Sequence, residues 1–132
     1  MNSDVKTLWL AALRSGEYEQ GRAALRDRDD KFCCLGVLCE LAAKAGVIPP
    51  ARYDEEWKLH EYGTDMLDMG EDEKSMHVLP VAVQDWADIK STGGFLEYDS
   101  ELGDWPDTNL AHFNDSEHYT FEQLADVIEK NF

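Results

Sequence analysis

The chain has 132 residues, with 12 basic against 28 acidic side chains and a formal net charge of −16. One domain spanning 1–132 is expected from that length, large enough to bury roughly two thirds of its unfolded surface without a disulfide or metal. A field of this sign repels nucleic acid and anionic lipid and attracts basic protein surfaces, which argues against direct nucleic-acid or membrane binding.

Asn2 or Ser3 can cap a helix running to about Arg14. In it Val5, Leu8, Trp9, Ala12 and Leu13 recur at i, i+3, i+4, i+7 and i+8, and Ser15-Gly16 stops it. Ala23–Arg26 and Lys31–Cys34 flank the turn-rich Asp27-Arg28-Asp29-Asp30, which predicts a small β-hairpin. The most apolar stretch follows: residues 32–43 carry a single charge, Glu40. Too short to cross a bilayer, which needs roughly 20 apolar residues, it predicts a central buried helix over 35–45, closed by Gly46 and Pro49-Pro50.

Residues 51–78 hold no lasting period of 2 or 3.6 and read as an acidic, loop-rich insertion with short helical pieces. Pro80 is expected at the first position of a helix that ends at Thr92-Gly93-Gly94. Phe95–Tyr98 is a candidate short strand and 100–107 an acidic turn region. Leu110–Phe113 predicts a helical turn broken by Asn114-Asp115-Ser116, whose side chains favour local backbone bonds. Thr120-Phe121-Glu122-Gln123 is a capping box opening a helix whose apolar face is Phe121, Leu124, Ala125, Ile128 and Phe132. The expected class is therefore α+β, mainly α: about four helices around a central buried helix, with a small hairpin or short sheet.

Chemistry-bearing motifs are few. Cys33, Cys34 and Cys39 lack zinc-ligand spacing and read as small apolar core groups. No secretory leader is evident, and three clustered cysteines suit a reducing cytoplasm. Of the four histidines, only His112 beside Asn114-Asp115 suggests chemistry. Asp65 could open a calcium loop with Gly70 at its sixth position, but Leu67, Met69 and Met76 would then stand where ligands belong. No metal or other cofactor is expected. Gln20, Arg22 and Arg26, with Gly21 between them, are the nearest approach to an anion-binding set. The competing reading pairs those arginines with Asp27, Asp29 or Asp30.

Charge is the sharper signal, because it is segregated. Residues 1–53 hold 8 basic and 7 acidic side chains, residues 54–107 hold 3 and 16, and residues 108–132 hold 1 and 5. Sixteen acids in one stretch exceed what solubility asks, a net magnitude of about 2–8 for a small domain. Aromatic residues lie among them, and Trp and Tyr are typical binding hot spots. The candidate partner-binding residues are Trp57, Tyr62, Asp65, Asp68, Glu71, Asp72, Glu73, Tyr98 and Trp105.

Leu10-Ala11-Ala12-Leu13-Arg14-Ser15-Gly16, Gln20-Gly21-Arg22 with Ala24-Leu25-Arg26, and the specific run Cys33-Cys34-Leu35-Gly36-Val37-Leu38-Cys39 resemble small proteins of tailed bacteriophages and prophages. Leu79-Pro80 with Val83 and Trp86, and Asn114-Asp115 with Phe121, Leu124-Ala125-Asp126 and Ile128-Glu129, extend the resemblance over residues 8–45, 79–87 and 110–130. It implies a common core in a bacterial host cell and carries no catalytic residue with it. The acidic block at 54–77 and the lengthened Glu117-His118-Tyr119 loop depart from the pattern.

Three functions are open at this point. One is a non-enzymatic phage accessory protein whose acids imitate phosphate and block a basic, nucleic-acid-binding host or defence protein. Another is a binder sequestering a nucleotide-like signal through Gln20, Arg22, Arg26, Asn114 and Asp115. The last is a small hydrolase using His112 and Asp115, for which no nucleophile or metal set is evident.

Overall fold

The computed structural model describes residues 1–66, 71–77, 79–89, 110–115 and 119–132. Among them the elements are α1 (Ser3–Ser15), β1 (Glu19–Gln20), β2 (Lys31–Phe32), α2 (Cys34–Lys44), β3 (Arg52–Asp54), β4 (Leu59–Met66), β5 (Glu71–Ser75), α3 (Val81–Ala87), α4 (Leu110–Asp115) and α5 (Phe121–Asn131). The class is α+β and mainly helical, with two small sheets.

Local chemistry sets the helix ends. The Asn2 side chain accepts from the Asp4 and Val5 N–H groups at 3.0 and 3.1 Å, satisfying two of the donors that a helix start leaves unpaired. Gly16 closes α1 in the left-handed region, φ +77°, where a Cβ is costly. The capping box of α5 is complete: Thr120 Oγ1 accepts from Gln123 N at 3.2 Å, and Gln123 Oε1 accepts from Thr120 N at 2.9 Å.

α2 is the centre. Cys34 through Cys39 are all buried, and so is Ala42. α1 lays Val5, Trp9, Ala12 and Leu13 toward this core, and the Trp9 indole N–H donates to the Cys34 carbonyl at 2.9 Å. α5 contributes Phe121, Leu124, Ala125, Val127 and Ile128. Across the outer face of the α1–α5 pair, Arg14 reaches Asp126 at 2.9 Å and Glu129 at 2.8 Å. Each fully buried Leu, Val or Phe contributes roughly 1.5–3 kcal/mol, so the core outweighs these solvent-screened ion pairs.

Two expectations hold in part. The turn at 27–30 forms: Asp27 Oδ1 accepts from the Asp29 and Lys31 N–H groups, and Arg26 bridges Phe32 in antiparallel sense. Yet β2 also pairs in parallel with β1, Glu19 against Lys31 and Gln20 against Phe32, so the unit is more than a hairpin. Pro80 is the N-cap of α3 and not its first helical residue. The helix stops at Asp88, which adopts φ +55°. The residues expected to end it, Thr92–Gly94, and the candidate strand Phe95–Tyr98 lie outside the described residues, as does the 100–107 turn region.

The main correction concerns 51–78. In place of a loop-rich insertion there is an antiparallel meander, β3-β4-β5. Arg52 pairs with Glu61, Tyr53 with His60 and Asp54 with Leu59. Along the second ladder Tyr62 opposes Ser75, Gly63 opposes Lys74, Thr64 opposes Glu73, Asp65 opposes Asp72 and Met66 opposes Glu71. Strand formation here owes little to intrinsic preference, since Asp and Glu are depleted in strands. Tyr62 anchors it in the core, and the ladder carries the acids along.

Candidate functional site

The candidate partner-binding residues that the structure describes fall in different places. Trp57 sits in the turn Glu55–Lys58 that joins β3 to β4, and 66 % of it is exposed. Asp54 builds that turn: its carboxylate accepts from the Glu56 and Trp57 N–H groups at 2.9 and 3.0 Å, and Lys58 takes φ +56°. Asp65, Glu71, Asp72 and Glu73 occupy the β4–β5 ladder, with Asp65 directly opposite Asp72. Asp68, Tyr98 and Trp105 lie outside the described residues.

Tyr62 is a correction. It is 1 % exposed, and its hydroxyl donates to Glu40 Oε2 at 2.8 Å, so it faces the core and offers nothing to a partner. Burial, with Glu40 beside it, pushes the phenol well above its ordinary range, and Tyr62 stays a neutral donor. Glu40 was missed as a structural residue, although the signal was present as the lone charge in the apolar run. The carboxylate on the central helix is where the acidic sheet is tied down. Arg26 completes the group, 3.7 Å from Glu40 and 2.8 Å from Asp30, with its guanidinium over the Phe32 ring.

The anion-binding set divides in the same way. Gln20, Asn114 and Asp115 do come together. Asn114 is fully buried; its oxygen accepts from Gln20 Nε2 at 2.9 Å and from the Cys34 N–H at 3.3 Å. Its amide nitrogen donates to the Gly21 carbonyl at 2.9 Å and to Asp115 at 2.8 Å. Gln20 Nε2 also donates to the Tyr119 carbonyl at 2.6 Å. Arg22 is exposed and Arg26 belongs to the Glu40 group. The two amides therefore spend their hydrogen bonds fastening the loop at 20–22, the start of α2 and the end of α4 to one another. Among the described residues no buried side-chain N or O lacks a partner.

All three cysteines are buried and unpaired. Burial pushes the Cys33 thiol up to about 12, and the Cys34 and Cys39 thiols well above their ordinary value. A buried thiol is a poor nucleophile because the thiolate is the reactive form. The linkage has a definite sign. Above about pH 8.5 the unfolded thiols ionise while the native ones hold their protons, so stability falls as pH rises. The unfolding free energy from urea titrations is expected to be flat from pH 6 to 8 and to drop between pH 9 and 11, by up to about 1.4 kcal/mol per pH unit for each thiol. At pH 8 the folded protein should leave a thiol-disulfide reagent unreacted until denaturant is added. Rapid labelling of any cysteine in the folded chain would contradict the burial.

Among the described residues no three His, Cys, Asp or Glu side chains group as metal ligands, and no helix is long and apolar enough to cross a membrane.

Fold and surface together define a small helical domain, built on a buried central helix, that carries an acidic three-stranded sheet. The chain belongs to the family described as "Domain of unknown function (DUF8296)", whose model matches residues 1–132. No curated protein matches the chain, and no solved structure does.

Proposed function

We propose that this protein is a non-enzymatic accessory protein, of the kind tailed phages carry, that binds and blocks a basic surface on a nucleic-acid-binding host protein. The observation that carries the reading is the gathering of acids on one sheet. Residues 54–75 hold nine acidic and two basic side chains, net −7, and the ladder sets Asp65 against Asp72 with Glu71 and Glu73 on either side. Like charges at directly opposed ladder positions repel, and Asp65 and Asp72 hold such positions in the register. A cationic partner relieves that repulsion.

The alternative of a sequestered anionic ligand draws less support. Gln20, Asn114 and Asp115 are occupied with one another, and Arg26 lies with Glu40 and Asp30.

The test is capture from bacterial host lysate by the immobilised protein and by its Glu71→Gln/Asp72→Asn/Glu73→Gln variant. A partner retained by the native sheet, released by about 0.5 M salt or by competing duplex DNA, and lost with the variant is the expected result. Screening at that ionic strength is strong, with a Debye length near 4 Å. A partner held equally by the variant, or indifferent to salt, would overturn the reading.

A further inference from the structure

Trp57 differs from the other tryptophans among the described residues. Trp9 is fully buried and Trp86 packs against the core, whereas Trp57 is 66 % exposed. Its backbone is held in place, because the Asp54 carboxylate accepts from the Trp57 main-chain N–H at 3.0 Å and Asp54 pairs with Leu59 at the base of the turn. A second exposed aromatic, Tyr53, stands one rung further down, 42 % exposed and 5.1 Å from the His60 ring. Glu55 and Glu56, both exposed, directly precede Trp57. The turn thus carries an exposed indole and two exposed glutamates on a backbone held by Asp54.

Charge complementarity selects what can cover it. Net −16 repels a second copy of the chain, nucleic acid and anionic membrane alike. A cation is attracted, and the indole favours one kind. Guanidinium is planar, weakly hydrated and stacks on aromatic faces, while ammonium is compact and strongly hydrated. Tryptophan is the best aromatic acceptor for such a contact.

We infer that the β3–β4 turn is the docking point for an arginine on the partner's basic surface, with the guanidinium on the Trp57 indole and its charge met by Glu55 and Glu56. This rests on the reading of the sheet as a surface for a basic protein, and it names the residue that the surface recognises. Fixing the turn in advance removes ordering cost that binding would otherwise incur.

The test uses the full chain with fluorescein-labelled nona-arginine and nona-lysine peptides, followed by fluorescence anisotropy at about 0.1 M salt. Trp57→Ala should weaken nona-arginine binding roughly ten-fold, Trp57→Phe less, and nona-lysine binding should change about two-fold at most. Because Trp57 lies outside the core, both variants should keep the native melting temperature, which is measured alongside. Wild-type affinity for nona-arginine in Trp57→Ala, or equal losses for the two peptides, would overturn the inference. If the Glu71→Gln/Asp72→Asn/Glu73→Gln variant loses binding while Trp57→Ala does not, the sheet still binds cations and this docking point alone is wrong. If neither peptide binds the native protein, both readings fall.

Discussion

A Gly36→Ala variant is expected not to fold to the native state. Gly36 lies in the first turn of α2, and a Cβ added there would run into the Leu25 backbone, overlapping its carbonyl oxygen and standing 2.6 Å from its carbonyl carbon. Neither side can withdraw. Leu25 is held from behind, its N–H bonded to the Met76 carbonyl at 2.8 Å. α2 is surrounded by core, with Leu35, Val37 and Leu38 all at zero exposure. Overpacking ordinarily costs about 1–3 kcal/mol, and more where backbone must move. Here the cost should exceed about 4 kcal/mol, a large share of the 5–15 kcal/mol that holds a typical domain together. Loss of the near-ultraviolet circular dichroism signal and recovery in the insoluble fraction are the expected readouts. Gly16→Ala is the control: nothing lies within 4 Å of its Cβ, and the positive φ alone should cost about 1 kcal/mol. A Gly36→Ala protein that melts with the wild type would show that α2 and Leu25 do not approach this closely.

The second large effect is expected at Asn114. Truncation to alanine leaves the Cys34 N–H and the Gly21 carbonyl without their partner in a dry interior. Each orphaned group costs about 1–3 kcal/mol, so a loss of roughly 3 kcal/mol and a fall in Tm of about 10–15 °C are expected. Asn114→Asp separates this account from simple loss of packing. It keeps the volume but sets a carboxylate against the Gly21 carbonyl and the Asp115 carboxylate, where Asn114 had donated. Protonation restores a donor, so the aspartate variant should be closer to wild type at pH 5 than at pH 7. Equal melting temperatures for wild type and Asn114→Ala at pH 7 would remove Asn114 as the fastening point.

These two positions show where sequence reading stopped. Gly36 reads as one small residue in an apolar run, and nothing local announces that another backbone will lie against it. Asn114-Asp115-Ser116 reads as a helix breaker because such side chains bond nearby backbone. In the folded chain Asn114 spends its bonds on Gln20, Gly21 and Cys34 as well as on Asp115, and α4 continues through Asp115. Gln20, Asn114 and Asp115 are candidate ligand-binding residues from the sequence, and the structure brings these three together with one another, though to fasten elements together. Tyr62 shows the reverse case. It was grouped with the acids around it as a surface anchor, and the pairing register carried it inward to Glu40.

The strands at 52–75 were invisible for a related reason. Acidic residues have little strand preference, and pairing is decided by what lies alongside. Helix ends were legible because their causes sit within a few residues: Asn2 before α1, Gly16 after it, and the Thr120–Gln123 box at α5. The apolar run at 32–43 was legible as the core because burial of so much apolar surface has no competing solution in water.

From its own letters, then, the chain determined a buried central helix, the caps that bound α1 and α5, and a charge confined to one half. Those depend on solvent and on neighbours one helical turn away. Only the tertiary structure decided that the acidic residues 52–66 and 71–75 build a sheet, that Trp57 faces out while Tyr62 faces in, and that Asn114 is buried. Strand register and the burial of single polar groups follow from contacts between residues tens of positions apart, and no short window of sequence contains them.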